Sequence, residues 1–194
     1  MRVAPKLLIM SPTTLFLNKV LAIFTVAGDV FIIVFIVAFL LKLLWDDKRL
    51  YDKIADFFYK RGLFLGFLIA ASTVVGSLYY SDIAGFEPCK LCWLQRIFLY
   101  PQAIILALAL WFKDRGVAVY SLWLSAIGII IAIDQNLLQF LNVSLIPCSS
   151  AVTAACNKLY VYEFNYVTIP VMSFTAFALL IISMWFVRDK KSSK

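Results

Sequence analysis

The four cysteines are the side chains of this 194-residue chain that could carry redox or nucleophilic chemistry, because the chain contains no histidine. Without an imidazole there is no histidine base, no histidine proton relay and no haem or copper ligand of the usual kind. Cys89 and Cys92 form a C-x-x-C motif directly after Pro88, and Cys148 and Cys156 form a second, wider pair. Any redox chemistry must therefore depend on these thiols.

The C-x-x-C motif lies where the sequence predicts the start of a helix, because Pro88 is favoured in a first helical turn. Free backbone N–H groups and the helix dipole stabilise a thiolate at such an end. Arg96 follows Cys92 by four residues, with Gln95 beside it, so its guanidinium should lie about one turn deeper on the same face. An arginine near lipid is a functional candidate by default, although it could instead reach the lipid head groups.

The composition predicts an integral membrane protein. The chain is 63% hydrophobic and 15% charged, whereas soluble domains are roughly 45–50% apolar and about 25% charged. The apolar residues form long runs, which must be helical in lipid because the backbone has to satisfy its own hydrogen bonds. The predicted spans are Val20–Leu44, Leu63–Tyr80, Ile97–Phe112 (extending back to about Pro88), Val117–Ile133 and Val167–Val187.

These spans predict an all-α integral membrane protein with a four-helix transmembrane bundle core and one extra N-terminal transmembrane helix. The core occupies residues 63–187 and the extra helix residues 20–45, which are too long and wrongly flanked for a signal peptide. An N-terminal segment, 1–19, precedes them. A cytoplasmic connection, 46–62, and a basic cytoplasmic tail, 188–194, complete the division.

The loop charges predict the orientation. Residues 46–62, 113–116 and 188–194 carry eleven Lys and Arg residues, whereas the opposite loops, 81–96 and 134–166, carry three. The richer side should face the cytoplasm, which places both cysteine pairs outside, where disulfides can form. Three more basic residues near the N-terminus weaken this assignment, and a re-entrant first segment would remove the conflict. The net charge of +7 is thereby explained, and no nucleic-acid partner is predicted.

Two stretches resemble the DsbB/BdbC family of membrane disulfide-generating proteins, in particular its BdbC branch. The first, C-K-L-C-W-L-Q-R-I-F-L-Y-P from Cys89 to Pro101, is similar to the family's C-x-L-C-x-x-x-R pattern. The second, T-I-P-V-M-S-F-T-A-F from Thr168 to Phe177, is similar to the start of that branch's last helix. The likeness covers about Leu63 to Val187. The extra N-terminal span and the short Cys148–Cys156 spacing depart from the Gram-negative members.

The resemblance implies a role for each residue of the first motif. Cys89 and Cys92 would form the redox-active disulfide next to a quinone, ubiquinone or menaquinone, and Cys92 would hand it the electrons. Arg96, with Gln95 beside it, would bind the quinone or its reduced oxygen.

The resemblance also implies a partner. A second redox-active disulfide, Cys148–Cys156, would exchange with a DsbA- or BdbD-like thioredoxin-fold thiol oxidase, with Cys148 forming the mixed disulfide. The protein would then be a quinone-dependent thiol:disulfide oxidoreductase. It would reside in the prokaryotic cytoplasmic membrane and support disulfide bond formation in exported proteins.

Several alternatives stay open at this point. The protein could be a membrane scaffold with two inert outer disulfides, or an enzyme like the vitamin K epoxide reductases, which usually carry C-x-x-C on the last core helix. Four thiolates could also hold a structural zinc ion, although the second spacing is wide for such a site. Asp134 and Gln135 are expected to cap the outer end of the fourth span rather than pass protons. Asp29, inside the first span, should be protonated or paired with a polar group of another helix.

Overall fold

The computed structural model describes residues 11–45, 49–143, 145–146, 156 and 158–189. Each of its helices is long and apolar enough to cross a membrane. Within the described residues the only β-pairing is an isolated bridge between Glu163 and Val167. This confirms the predicted all-α class with one helix in addition to a four-helix core. The helices are α1, Pro12–Trp45, α2, Arg49–Leu78, α3, Lys90–Phe112, α4, Val117–Leu141, and α5, Ile169–Asp189.

The first two helices are longer than their apolar runs. Helix α1 begins at Pro12, where the Ser11 hydroxyl accepts a hydrogen bond of 3.2 Å from the Thr14 N–H and so caps the first turn. It is continuous to Trp45, which argues against a re-entrant first segment. Helix α2 begins at Arg49, so most of the segment 46–62 is helical. Burial of Phe58 explains this extension, since the early turns of α2 have an apolar face to pack.

A π-helical turn, Tyr79–Ile83, ends the second span and brings the chain to the C-x-x-C motif. Gly85 follows with a φ of +66°, which a glycine adopts without steric cost. The chain then folds back so that the Phe86 N–H donates to the Tyr80 carbonyl at 2.8 Å. This turn places Pro88 and Cys89 at the start of α3.

Helix α5 is the central element and packs against α1, α2 and α4, while α3 packs against α2 and α4. The α2–α5 contact is close because Gly62 and Gly66 face α5. A Cβ atom at Gly62 would lie 2.6 Å from the Val187 side chain, and one at Gly66 would lie 2.5 Å from that of Met184. Small residues allow this approach in membrane helices.

The chain direction brings the end of α2, the start of α3, the end of α4 and the start of α5 to one end of the bundle, here called the thiol end. Large apolar side chains on the outer faces of all five helices are exposed, as expected of surfaces that contact lipid. At the opposite end, aromatic rings of α1, α2 and α5 pack together around Phe58 and Phe186. The observed helix α3, Lys90–Phe112, agrees closely with the prediction of a helix from about Pro88 to Phe112.

Candidate functional site

Cys89 and Cys92 lie together at the N-terminus of α3. Cys89 is the N-cap residue, and its sulfur accepts a hydrogen bond from the Cys92 N–H at 3.5 Å. Both side chains are free thiols, and their Sγ atoms are 3.1 Å apart. Cys89 is buried, whereas Cys92 is partly exposed. The pair is therefore close enough to form a disulfide, whose S–S bond is about 2.05 Å, with little movement.

Gln135 of α4 is the polar side chain that contacts both thiols. Its Nε2 atom donates to the Cys89 sulfur at 3.4 Å and to the Cys92 sulfur at 3.3 Å. Its Oε1 atom accepts a hydrogen bond of 2.7 Å from Gln95, and both glutamines are buried. Gln95 thus contacts Gln135, and it lies on the wall of the cavity described below, where it was expected to bind the cofactor with Arg96.

The two thiols share their protons unequally. The hydrogen bond with Cys92 and, second, burial raise the pKa of Cys89 well above its ordinary value. A neutral Cys89 thiol can then donate to a Cys92 thiolate, which also receives the Gln135 N–H. This arrangement favours Cys92 as the nucleophile of the pair, because the thiolate is the reactive form.

Arg96 lies one turn below Cys92, as the spacing predicts, but its guanidinium is held by α2. The Nε atom donates to the Ser77 hydroxyl and a terminal nitrogen donates to the Ser77 carbonyl, both at 2.9 Å. The guanidinium also lies 5.0 Å from the centroid of the Trp93 ring. These contacts keep Arg96 on the cavity described below and account for its position without lipid head groups.

Cys156 belongs to the same buried cluster as Cys89, together with Leu91 and Ile131. It is disulfide-bonded and 4% exposed. Cys148 lies outside the described residues. The structure thus brings Cys156 next to the C-x-x-C pair, although 67 residues separate it from Cys89 along the chain.

A zinc site has no support in the described part of the chain. No group of three or more His, Cys, Asp or Glu side chains there could hold a metal ion. Because Cys156 is disulfide-bonded, it has no free thiolate to offer a metal.

An apolar cavity of about 610 Å³ opens beside the thiols, which is within the usual range of small-molecule sites. Cys89, Cys92, Arg96 and Gln135 lie along its wall. The opposite wall belongs to the start of α5 and includes most of the Thr168–Phe177 stretch. The two stretches that carry the family resemblance therefore face each other across one cavity.

Three aromatic rings form a further part of the cavity wall. Phe86 stacks on Tyr80 with 5.5 Å between ring centroids and on Tyr160 with 4.7 Å. The Tyr80 hydroxyl and the Thr168 hydroxyl are buried on this cavity, and neither has a hydrogen-bond partner among the described residues. Buried polar groups normally have partners. Both residues line the cavity, but neighbouring atoms shield their hydroxyl oxygens from it.

The polar residues at the end of α4 have two different roles. Asp134 does not cap the helix as predicted, because α4 continues to Leu141 and its C-cap residue is Asn142. It instead accepts hydrogen bonds from the Leu145 N–H at 2.6 Å and the Ile146 N–H at 3.4 Å, in the loop that follows the helix. For Gln135 the capping prediction is wrong, because its amide turns inward to the thiols. A polar residue within an apolar span is the signal that could have identified it. The aromatic Trp93 and Tyr100 do not line the apolar cavity; they line a neighbouring pocket that also includes Arg96.

Comparison with known proteins agrees with this arrangement. The family model described as "Disulfide bond formation protein DsbB" matches residues 59–187. This chain belongs to the DsbB family. The match covers α3, α4, α5 and most of α2, and it leaves α1 outside.

Individual DsbB-family relatives cover the same region. "Probable disulfide formation protein C" of Halalkalibacterium halodurans is 39% identical over 66% of this chain and 95% of its own length. "Probable disulfide formation protein" of Deinococcus radiodurans is 42% identical over 66% of this chain and 89% of its own length. "Disulfide bond formation protein C" of Bacillus subtilis is 37% identical, with 67% and 94% covered. No solved structure matches the chain significantly.

Membership of the DsbB family gives the protein a role in disulfide bond formation, and its five apolar helices fit a multi-pass membrane protein. The family assignment also separates it from the vitamin-K-epoxide-reductase-like alternative. In this chain the C-x-x-C motif opens α3, the second helix of the matched core, rather than the last.

Proposed function

We propose that the protein is a membrane thiol:disulfide oxidoreductase that reoxidises an extracytoplasmic thioredoxin-fold oxidase and passes the electrons to a membrane quinone. One observation carries this proposal. A free dithiol, Cys89 and Cys92, lines an apolar cavity of about 610 Å³, and the disulfide-bonded Cys156 lines the same cavity and belongs to the same buried cluster as Cys89. A dithiol in this position can receive electrons by disulfide exchange and release them to an apolar acceptor.

The first half of the reaction is thiol–disulfide exchange. A thiolate of the reduced partner attacks the proposed Cys148–Cys156 disulfide, and the partner's second thiol then closes the partner's own disulfide. Cys148 and Cys156 are left as two thiols, which reduce a Cys89–Cys92 disulfide in the same way. Contact of Cys156 with the Cys89 cluster supports this order, since exchange requires that the sulfurs meet.

The second half returns Cys89 and Cys92 to a disulfide and releases two electrons and two protons. When bound, a quinone accepts this pair of electrons and protons. Arg96 would offer N–H donors to the acceptor oxygen, and such donors are strong in a low-dielectric site. Gln135 would hold Cys92 as the thiolate while Cys89 keeps its proton until the disulfide forms.

The cavity fits a quinone in three respects. Its wall is mostly apolar, it includes Arg96, and it includes Tyr80 and Thr168, whose hydroxyls have no hydrogen-bond partner among the described residues. A quinone has an apolar body and two carbonyl oxygens that need donors.

Turnover with purified components tests the proposal. The full-length protein in lipid nanodiscs is mixed with a reduced thioredoxin-fold oxidase and a short-chain quinone, and quinone reduction is followed by absorbance. We expect turnover by the wild type and a loss of at least about 10³-fold in Cys92→Ser, because the nucleophile is removed. Equal rates for the two proteins, or none for either, would refute the enzymatic function.

The proposed orientation places the thiol end outside the cytoplasmic membrane, supported by the loop charges. After mild reduction of intact cells, a membrane-impermeant maleimide should label Cys148. A cysteine introduced at Ser192 in the basic tail serves as the control and should be labelled only after permeabilisation. The reverse pattern would invert the orientation.

A further inference from the structure

Helix α1 is the part of the molecule that family membership does not explain, since the family match begins at residue 59. Three of its residues, Leu21, Phe24 and Thr25, nevertheless line the cavity that also contains Cys92 and Arg96. Leu21 additionally packs on the cluster built around Tyr80 and Phe86. The extra helix therefore contacts the site and is not merely attached to the outside of the bundle.

The exposure of the lining residues shows where the cavity opens. Most of them are buried or partly buried, but Phe24 of α1 is 71% exposed and Leu68 of α2 is 45% exposed. Ser72, one turn further along α2, is also exposed. A residue that both lines a cavity and lies on the surface marks its mouth. These three place an opening between α1 and α2, on a surface that would face lipid.

A second opening lies at the thiol end and has a different character. There the exposed lining residues are the charged Glu87 and Lys158. A charged opening suits a water-soluble partner, whereas an opening edged by Phe24 and Leu68 suits an apolar molecule that arrives through the bilayer.

Two hydrogen-bonded contacts hold α1 in place on either side of its cavity-lining turn. Toward the N-terminus, the Thr14 hydroxyl is 3.1 Å from the Tyr79 hydroxyl of the π-helical turn. Toward the C-terminus, the Asp29 carboxylate accepts from the Thr175 hydroxyl at 2.6 Å and from the Tyr166 hydroxyl at 3.1 Å. This confirms that Asp29 is paired with a polar group of another helix, as its cost in lipid requires.

The second contact also brings the two backbones close together. A Cβ atom at Gly28 would lie 2.8 Å from the Thr175 side chain and 3.1 Å from that of Leu179. A glycine next to the paired carboxylate thus lets α1 approach α5 at this point. The position of Leu21 and Phe24 relative to the cavity follows from these contacts.

We propose that α1 forms one side of a lateral entrance for quinone between α1 and α2, and that the contact of Asp29 with Thr175 and Tyr166 positions it. This proposal rests on the proposed function, because it takes a quinone as the ligand of the cavity. Leu21 would border the bound molecule, Phe24 would border the entrance, and Asp29 would be a positioning residue that does not touch the ligand.

Photolabelling tests the placement without measuring turnover. The full-length protein in nanodiscs is illuminated with an azido-quinone, and the labelled peptides are identified by mass spectrometry. We expect labels on α1 at Leu21–Thr25 as well as on α3, both suppressed by excess unmodified quinone. Labels on α3 alone would overturn the role of α1 and leave the proposed function standing. The absence of any competed label would overturn both.

Quinone affinity, measured by equilibrium binding, tests the residues. Leu21→Trp should weaken binding roughly tenfold, the scale of a steric mismatch in an apolar pocket, whereas Ile23→Trp, on the exposed face of the same helix, should not. Asp29→Leu removes the hydrogen bonds with Thr175 and Tyr166 that position α1, so it should weaken quinone binding roughly fivefold and reduce labelling of α1. Asp52→Asn on α2 is the matched control. Equal affinity of Leu21→Trp and Ile23→Trp would overturn the proposal.

Discussion

At the thiol end the helices leave a cavity of about 610 Å³ among them, whereas further along the bundle α2 and α5 touch so closely that Gly62 and Gly66 admit no Cβ atom without displacement. The close contact consists of apolar side chains and backbone, and the cavity is bordered by thiols, amides and a guanidinium. Both regions are built by the same helices.

The difference shows how a small membrane protein can hold a reactive site. Close α2–α5 packing keeps the helices together, so the thiol end can leave a cavity and buried polar groups that would otherwise be destabilising. Substitutions in the packed region should therefore reduce stability, and substitutions around the cavity should change chemistry. The following four predictions test this division.

The largest effect at the thiol end is expected from Gln135→Leu. It removes the amide that donates to both sulfurs, and hydrogen bonds to charged groups contribute about 1.5–3 kcal/mol. Alkylation of Cys92 by iodoacetamide near neutral pH should therefore slow by about 10- to 100-fold. Asn136→Leu, whose amide bonds the Ala132 carbonyl instead, is the control. An unchanged alkylation rate in Gln135→Leu would show that Gln135 does not stabilise the thiolate.

In the packed region, Gly62→Ala should lower the free energy of unfolding by about 1–3 kcal/mol, the usual cost of overpacking. Its Cβ atom would lie 3.0 Å from the Ser183 carbonyl oxygen, which cannot move independently of α5. Gly76→Ala is the matched control, since its nearest neighbour, Leu21, would be 3.6 Å away. Thermal unfolding in detergent measures both. If the two variants were equally stable, the close α2–α5 contact at Gly62 would be no more sensitive to an added methyl group than the loosely packed position of Gly76.

Arg96→Ala should raise the quinone concentration needed for half-maximal turnover by about tenfold, while exchange with the thioredoxin-fold partner continues. Arg96→Lys should recover little of this lost quinone affinity. The planar guanidinium donates to the Ser77 hydroxyl and the Ser77 carbonyl at once, and a lysine ammonium cannot reproduce that geometry. Steady-state kinetics with varied quinone and, separately, with varied partner distinguish the two steps. If Arg96→Ala slowed partner exchange and kept the wild-type quinone dependence, Arg96 would act in thiol–disulfide exchange and not in quinone reduction.

The smallest effect is expected from Trp93→Ala. This residue contacts Arg96 through its ring but does not line the apolar cavity, so we expect a loss of stability of about 0.5–1 kcal/mol from the cation–π contact. The quinone dependence of turnover should stay that of the wild type. A clear rise in the quinone concentration needed for half-maximal turnover would mean that the quinone site extends to Trp93.

Much of the fold follows from local patterns. Apolar runs of sufficient length predict the five helices because a lipid-exposed backbone must bond to itself, and Pro88 with the C-x-x-C motif predicts the start of α3. The approach of α2 to α5 along Gly62 and Gly66 also has a sequence signal. Helices α1 and α2 begin at Pro12 and Arg49, several residues before the predicted spans, which begin at Val20 and Leu63. Hydropathy identifies the part of a helix that lies in lipid, and it does not identify the capped or amphipathic turns that precede this part.

For the site, residue types and spacing along the chain determined that Cys89 and Cys92 lie at a helix start and that Arg96 lies one turn below them, and they predict that the chemistry rests on thiols. Tertiary structure alone decided that Gln135 donates to both sulfurs, that Ser77 holds Arg96, that Cys156 joins the buried cluster of Cys89, and that α1 borders the cavity. The physical reason is the range of the interactions. Helix periodicity and capping act within a few residues. The hydrogen bonds of Ser77 and Gln135 join residues 19 to 46 positions apart, and the contact of Asp29 with Thr175 that holds α1 joins residues 146 positions apart, so they depend on how the helices pack.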